Sequence, residues 1–208
     1  MLISEYAQVQ DDTFLPVFYQ IRNPNAATDL TQQVRSGVTH IYEGKSIPEP
    51  FAKESLFFLH VHPQTAFNID LTLLLRTFCN RNPDIRFKDQ DMALTAIFEG
   101  WSNALLWGTL EMPNHKGRSR IPEFDSILRE QLSNPFLALR FITLAIKRRD
   151  DKVRVYIRDQ GVGTNFSWDQ SCARSQEDCR GLAIINNCSD GVAFDEVHKV
   201  LRMEFHLV

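Results

Sequence analysis

The sequence predicts an α+β fold, a two-layer α/β sandwich in which helices cover one face of a mixed β-sheet. Three observations lead there. Several short apolar runs have strand composition, longer segments repeat their apolar residues at helical spacing, and 208 residues with 43% hydrophobic content can supply a sizeable core.

Along the chain, residues 14–21 read as a short strand, 22–25 as a turn and 46–50, with Pro48 and Pro50, as a connector. Residues 1–54 are taken as an N-terminal extension that carries no nameable chemistry. The main domain is expected over 55–208, beginning with a strand at 56–61 that Pro63 ends. Phe67, Leu71, Leu74, Leu75 and Phe78 recur at helical spacing over 66–80, and Asn82-Pro83 closes that helix. A second helix is expected over 88–107, with Met92, Ala93, Ala96, Ile97, Trp101, Ala104 and Leu105 as its buried stripe. An insertion follows at about 109–134: a loop over 109–122, then a short helix over 124–132. Segments 139–147 and 152–158 read as a hairpin around Arg148-Arg149-Asp150-Asp151. After a polar, irregular stretch to Asp178 come a helix over 180–188 and strands at 192–194 and 200–207.

Composition excludes several classes. The chain has 23 Lys plus Arg against 26 Asp plus Glu, a net charge of −3, which argues against a chain-wide polyanion surface and so against nucleic acid as partner. Cysteines 79, 172, 179 and 188 include no C-x-x-C pair, which argues against a zinc site or a disulfide framework. No run of eighteen apolar residues occurs and the first residues turn acidic early, so a cytoplasmic protein without a membrane segment is expected.

Three short stretches could carry chemistry. Glu99 and Asn103 are four apart on the second helix, so a carboxylate and an amide project on one face. Asp159-Gln160-Gly161-Val162-Gly163 follows a Val- and Ile-rich strand; the glycines permit positive φ and close approach of a ligand, and the Asp can accept from an exocyclic amine. No Gly-Lys-Ser/Thr follows, and the third glycine of a dinucleotide fingerprint is missing. Arg180-Gly181-Leu182 opens a helix whose free N–H groups suit a phosphate. Each stretch also has a plain structural reading: a solvated helix face, an ordinary turn and a packing glycine.

In order, EGWSNALLWG, RDQGVG and CRGLAIINNCSDGVAF resemble the N, G1 and G2 boxes of the histidine-kinase-like (GHKL) ATPase superfamily, over roughly residues 55–208. The resemblance is closest to anti-sigma-factor serine/threonine kinases, and NALLWGTLEMP with FDSILREQLSNPFLALRFITL looks like an extended variant of such domains. It implies the Bergerat form of the sandwich, with ATP and Mg2+ as cofactors. Asn103 would hold the metal, Glu99 would activate the attacking hydroxyl or water, and Asp159 would bind the adenine amino group. Gly161 and Gly163 would form the turn beneath the nucleotide, Arg180, Gly181 and Leu182 would flank the phosphates, and 164–178 would be a lid that Phe166 and Trp168 anchor. The implied function is phosphorylation of a STAS-type antagonist in a partner-switching system that controls a sigma factor, with a homodimer left open. A catalytically inactive, nucleotide-gated binding module is the alternative. The sequence departs from the pattern at Trp107, where relatives commonly carry His, at Cys179 in place of a frequent lid Gly, and at His198, usually Gly.

His60 and His62 alternate on the first strand, but with no third ligand they read as structural histidines. Lys147-Arg148-Arg149 reads as a hairpin tip neutralised by Asp150-Asp151.

Overall fold

Val153, Val155 and Ile157 are buried, whereas Arg154, Tyr156 and Arg158 between them are not, so a period-two pattern sets the two faces of the strand they build. The computed structural model describes residues 17–21, 29–45, 52, 54–113, 124–161 and 180–208. Among these, seven strands share one open, mixed sheet. They are β1 (Phe18–Gln20), β2 (His40–Tyr42), β3 (Phe57–Val61), β4 (Ile142–Arg149), β5 (Lys152–Arg158), β6 (Gly191–Asp195) and β7 (Val200–His206), in the spatial order β1-β2-β3-β4-β5-β7-β6. The first two pairings are parallel and the other four antiparallel.

The segment before residue 55 contributes β1, helix α1 (Leu30–Arg35) and β2, and its Ile21, Leu30, Val34 and Ile41 belong to the main core. Neither α1 nor β2 is anticipated from the sequence, because each is too short to display a period.

One helix expected over 66–80 is in fact two. Helix α2 (Pro63–Asn68) ends where Ile69 turns extended, and α3 (Leu71–Arg81) restarts under its own cap, the Asp70 carboxylate accepting from Leu73 N–H at 2.9 Å. The first turn of α2 is fastened by buried Glu43, which accepts from the His62 N–H at 2.5 Å and the Thr65 hydroxyl at 2.6 Å. Helix α4 (Gln90–Asn103) starts at the Asp89 cap and buries Ala93, Leu94, Ala96, Ile97, Gly100 and Trp101. Met92 is 42% exposed, contrary to the expected stripe, because the helix turns Ala93 and Leu94 inward in its first turn. Gly100 lets α4 close on the sheet: a Cβ there would stand 2.9 Å from a Leu201 methyl and 3.0 Å from one of Ile157.

Helix α5 (Phe124–Ser133) matches expectation, and α6 (Pro135–Ala138), capped by Asn134, follows it. That extra turn delays β4 to Ile142, three residues later than the pattern suggests, and β4 continues to Arg149. The hairpin tip at Asp150 takes φ +55°, and Lys147 and Arg149 both pair with Glu54, each at 3.2 Å. The last helix is α7 (Arg180–Cys188), which packs on α4. The described helices pack on the face carrying Leu144, Val155, Ile157 and Met203. Among the described residues, the opposite face carries a smaller apolar cluster of Ala52, Phe58 and Ala145, beside buried His40, His60 and Thr143. No helix of the described residues is long and apolar enough to cross a membrane.

Candidate functional site

The last turns of α4 carry Glu99 and Asn103, both half-buried on the side that faces α7. The helix does not stop at Asn103. It widens into a π-helical segment over Ala104–Thr109, marked by the Leu110 N–H bond to the Leu105 carbonyl at 2.9 Å. Such segments re-aim the residues beyond them. Here the widened turn delivers Gly108 to the end of β5, where the chain leaves the sheet at Asp159.

Gly108 and Asp159 fit because Gly108 has no side chain: an added Cβ would lie 2.6 Å from Asp159 Oδ2 and 2.8 Å from Oδ1. Gly161 presses on the same point, since a Cβ there would overlap the Gly108 carbonyl oxygen. Its φ is not positive; of the two uses a glycine permits here, close approach is the one this position makes. The Gly161 N–H donates to Asp159 Oδ1 at 2.9 Å. Burial nevertheless raises the pKa of this half-buried carboxyl above its ordinary value, outweighing that bond and the charges of Lys199, Arg140 and Arg158.

Gly181, in the first turn of α7, stands directly over the α4 pair. A Cβ on it would come within 3.0 Å of Asn103 Nδ2 and 3.1 Å of Glu99 Oε2. The fold thus gathers Glu99, Asn103 and Gly181 at one junction and Asp159 with Gly161 at another. The two junctions are bridged by the stretch from Asn103 to Gly108. Arg180 opens α7, and Leu182 is half-buried against the core. Gly163, the expected lid over 164–178 with Phe166 and Trp168, and Cys179 lie outside the described residues. Trp107 packs half-buried against the core, and His198 sits exposed, its Nδ1 2.7 Å from Asp195 Oδ2.

Sequence reasoning missed Gly108, Thr109 and Arg140. The Arg140 guanidinium donates to the Thr109 carbonyl at 2.8 Å and pairs with Glu111 at 2.7 Å, pinning the end of the π-helical segment where Glu111 takes φ +50°. The fully buried Thr109 hydroxyl has no hydrogen-bond partner among the described residues. A glycine inside a helical pattern was the available signal for Gly108. Nothing local marks Arg140, which lies thirty-one residues from Thr109.

Among the described residues no group of three or more His, Cys, Asp or Glu side chains could hold a metal by itself. A cation beside Asn103 would need oxygens from its ligand to complete its shell. His60 and His62 stack on Phe141 at 4.2 and 4.0 Å and bond the Thr143 hydroxyl and the Arg140 carbonyl, so both have structural partners. In chemical terms the site offers a carboxylate acceptor in a partly desolvated corner, two close contacts that only glycine admits, a helix N-terminus, and a carboxylate beside an amide. In comparisons with known proteins, no family model matches the chain and no curated protein matches it.

Proposed function

We propose that this chain is an ATP- and Mg2+-binding domain of the histidine-kinase-like type, with the Bergerat form of the sandwich, that phosphorylates Ser or Thr on an antagonist protein in partner-switching control of a sigma factor. The carrying observation is the position of Gly181 against Asn103 and Glu99, because it joins two of the three sequence stretches in space. Asp159 joins the third through Gly108.

The residues suit the ligand. Asp159 accepts a hydrogen bond, as an adenine amino group requires, its Oδ1 already taking one from the Gly161 N–H. The N-terminus of α7 favours negative charge, so phosphates would lie at Arg180-Gly181-Leu182. The Asn103 amide oxygen is a ligand for a hard cation, and Mg2+ when bound would neutralise charge on the phosphates. Glu99, one helical turn before Asn103, would orient the attacking hydroxyl and take its proton.

Titration calorimetry with ATP and Mg2+ tests binding, and labelled ATP with a STAS-type antagonist domain tests transfer. Saturable binding with label appearing on the antagonist is the expected result. Binding without transfer would favour the nucleotide-gated module, and absence of binding would overturn both readings.

A further inference from the structure

The corner at Asp159 is assembled from two segments far apart in sequence, and Gly108 has no side chain with which to hold the carboxylate it touches. Arg140 and Phe141, the two residues before β4, bond to both walls of that corner. On one side the Arg140 Nη1 donates to the Thr109 carbonyl at 2.8 Å and pairs with Glu111 at 2.7 Å. On the other side the Phe141 N–H donates to Gln160 Oε1 at 2.9 Å. Register accounts for the second bond. At this end the β4–β5 ladder reaches Thr143↔Arg158, so Phe141 falls opposite Gln160, where the chain turns away to place Asp159 and Gly161. The bridging residues are themselves held. The Arg140 carbonyl accepts from His62 Nδ1 at 2.9 Å, and the Phe141 ring stacks on His60 and His62 at 4.2 and 4.0 Å.

We propose that Arg140 is a positioning residue for the Asp159 corner, acting with Gln160 to fix how far the Gly108–Thr109 wall stands from the carboxylate. A planar guanidinium can serve a carbonyl and a carboxylate at once, so it sets the orientation of the wall as well as its distance. Glu111 takes φ +50° beside it, a conformation that persists in a non-glycine residue only where its surroundings impose it. If Arg140 served the fold alone, Gln160 would have no part in the corner, because its side chain is exposed and buries little. The consequence for ATP rests on the proposed function, in which an adenine amino group must meet a carboxylate oxygen at about 3 Å. The setting of the corner does not rest on it.

The test follows the Asp159 carboxyl carbon by NMR across a pH titration of the nucleotide-free chain, in the wild type, Arg140→Lys and Gln160→Ala. Lysine keeps the charge but not the fork, and Gln160→Ala removes the acceptor of the Phe141 N–H without changing any charge. In both variants the corner should open to water, and Asp159 should titrate lower, toward the ordinary value from which burial raises it. ATP affinity measured by calorimetry should fall about 10-fold for Arg140→Lys and less for Gln160→Ala. Gln160 is exposed, so its variant should melt with the wild type, and it decides alone should Arg140→Lys fail to fold. An Asp159 titration that is unshifted or raised in either folded variant would overturn the proposal. A lowered titration in both, in a chain that binds no ATP, would uphold the positioning role and sink the nucleotide reading instead.

Discussion

Gly108 and Asp159 meet at the corner where the π-helical segment after α4 ends and β5 leaves the sheet, so closely that a Cβ on the glycine would stand 2.6 Å from a carboxylate oxygen. The contact depends on the π-helical segment, which carries the chain from the helical layer to the strand end. It also explains why the Asp159 carboxyl is half-buried, and hence why its pKa rises.

Gly108→Ala should therefore damage the site first and the fold second. Overpacking of this kind costs about 1–3 kcal/mol, partly offset by the better helix propensity of alanine, about 1 kcal/mol. A lower Tm and loss of ATP binding are expected. Gly191→Ala is the control, because its Cβ would meet Glu204 at an ordinary 3.7 Å. Equal effects of the two substitutions would contradict the steric argument.

Asp159→Asn should separate stability from binding. A carboxyl whose folded pKa lies above its unfolded value binds protons more readily in the folded state. Stability then falls as pH climbs from the unfolded value through the folded one, and the loss persists at neutral pH. Asparagine removes that charge and can still accept from the Gly161 N–H, so melting at neutral pH should rise, with the gap closing in acid. Affinity for ATP should drop about 10- to 100-fold, as a charge-assisted hydrogen bond of about 1.5–3 kcal/mol is lost. A variant less stable than wild type at neutral pH would contradict this reading.

Glu99→Gln tests the kinase reading. Gln keeps the shape beneath Gly181 but cannot take a proton, so ATP binding should persist while phosphoryl transfer falls by about 10²- to 10⁴-fold. Transfer at the wild-type rate would remove Glu99 from the reaction.

What the sequence made legible follows period and punctuation. The β4–β5 hairpin, α4 and α7 have patterns long enough to assign, and Glu99 with Asn103 share one helical face as their spacing requires. The break at Ile69-Asp70 was concealed because apolar positions on α2 and α3 continue a single helical period across it. Only the cap role of Asp70 betrays the restart. The π-helical segment left no trace, since its apolar residues extend the α4 stripe. The link from Arg140 to Thr109 is a tertiary contact between distant segments, which local patterns do not encode.

His60 provides a test away from the site. It is buried on β3, stacked on Phe141 and bonded to the Thr143 hydroxyl, and its pKa is lowered to about 4, first by burial and then by the charges of His62 and Arg158. In the unfolded chain the imidazole takes a proton near pH 6.5, whereas in the folded chain it resists down to about 4. The unfolded state therefore binds more protons between those values, and stability that is complete above pH 6.5 declines as pH falls through the window. The loss is on the order of 3 kcal/mol at full protonation. His40, also lowered by burial, should leave a residual slope. Urea midpoints followed across this range should fall steeply for the wild type and less steeply for His60→Gln, whose amide can still reach Thr143. Parallel slopes would place the acid sensitivity elsewhere.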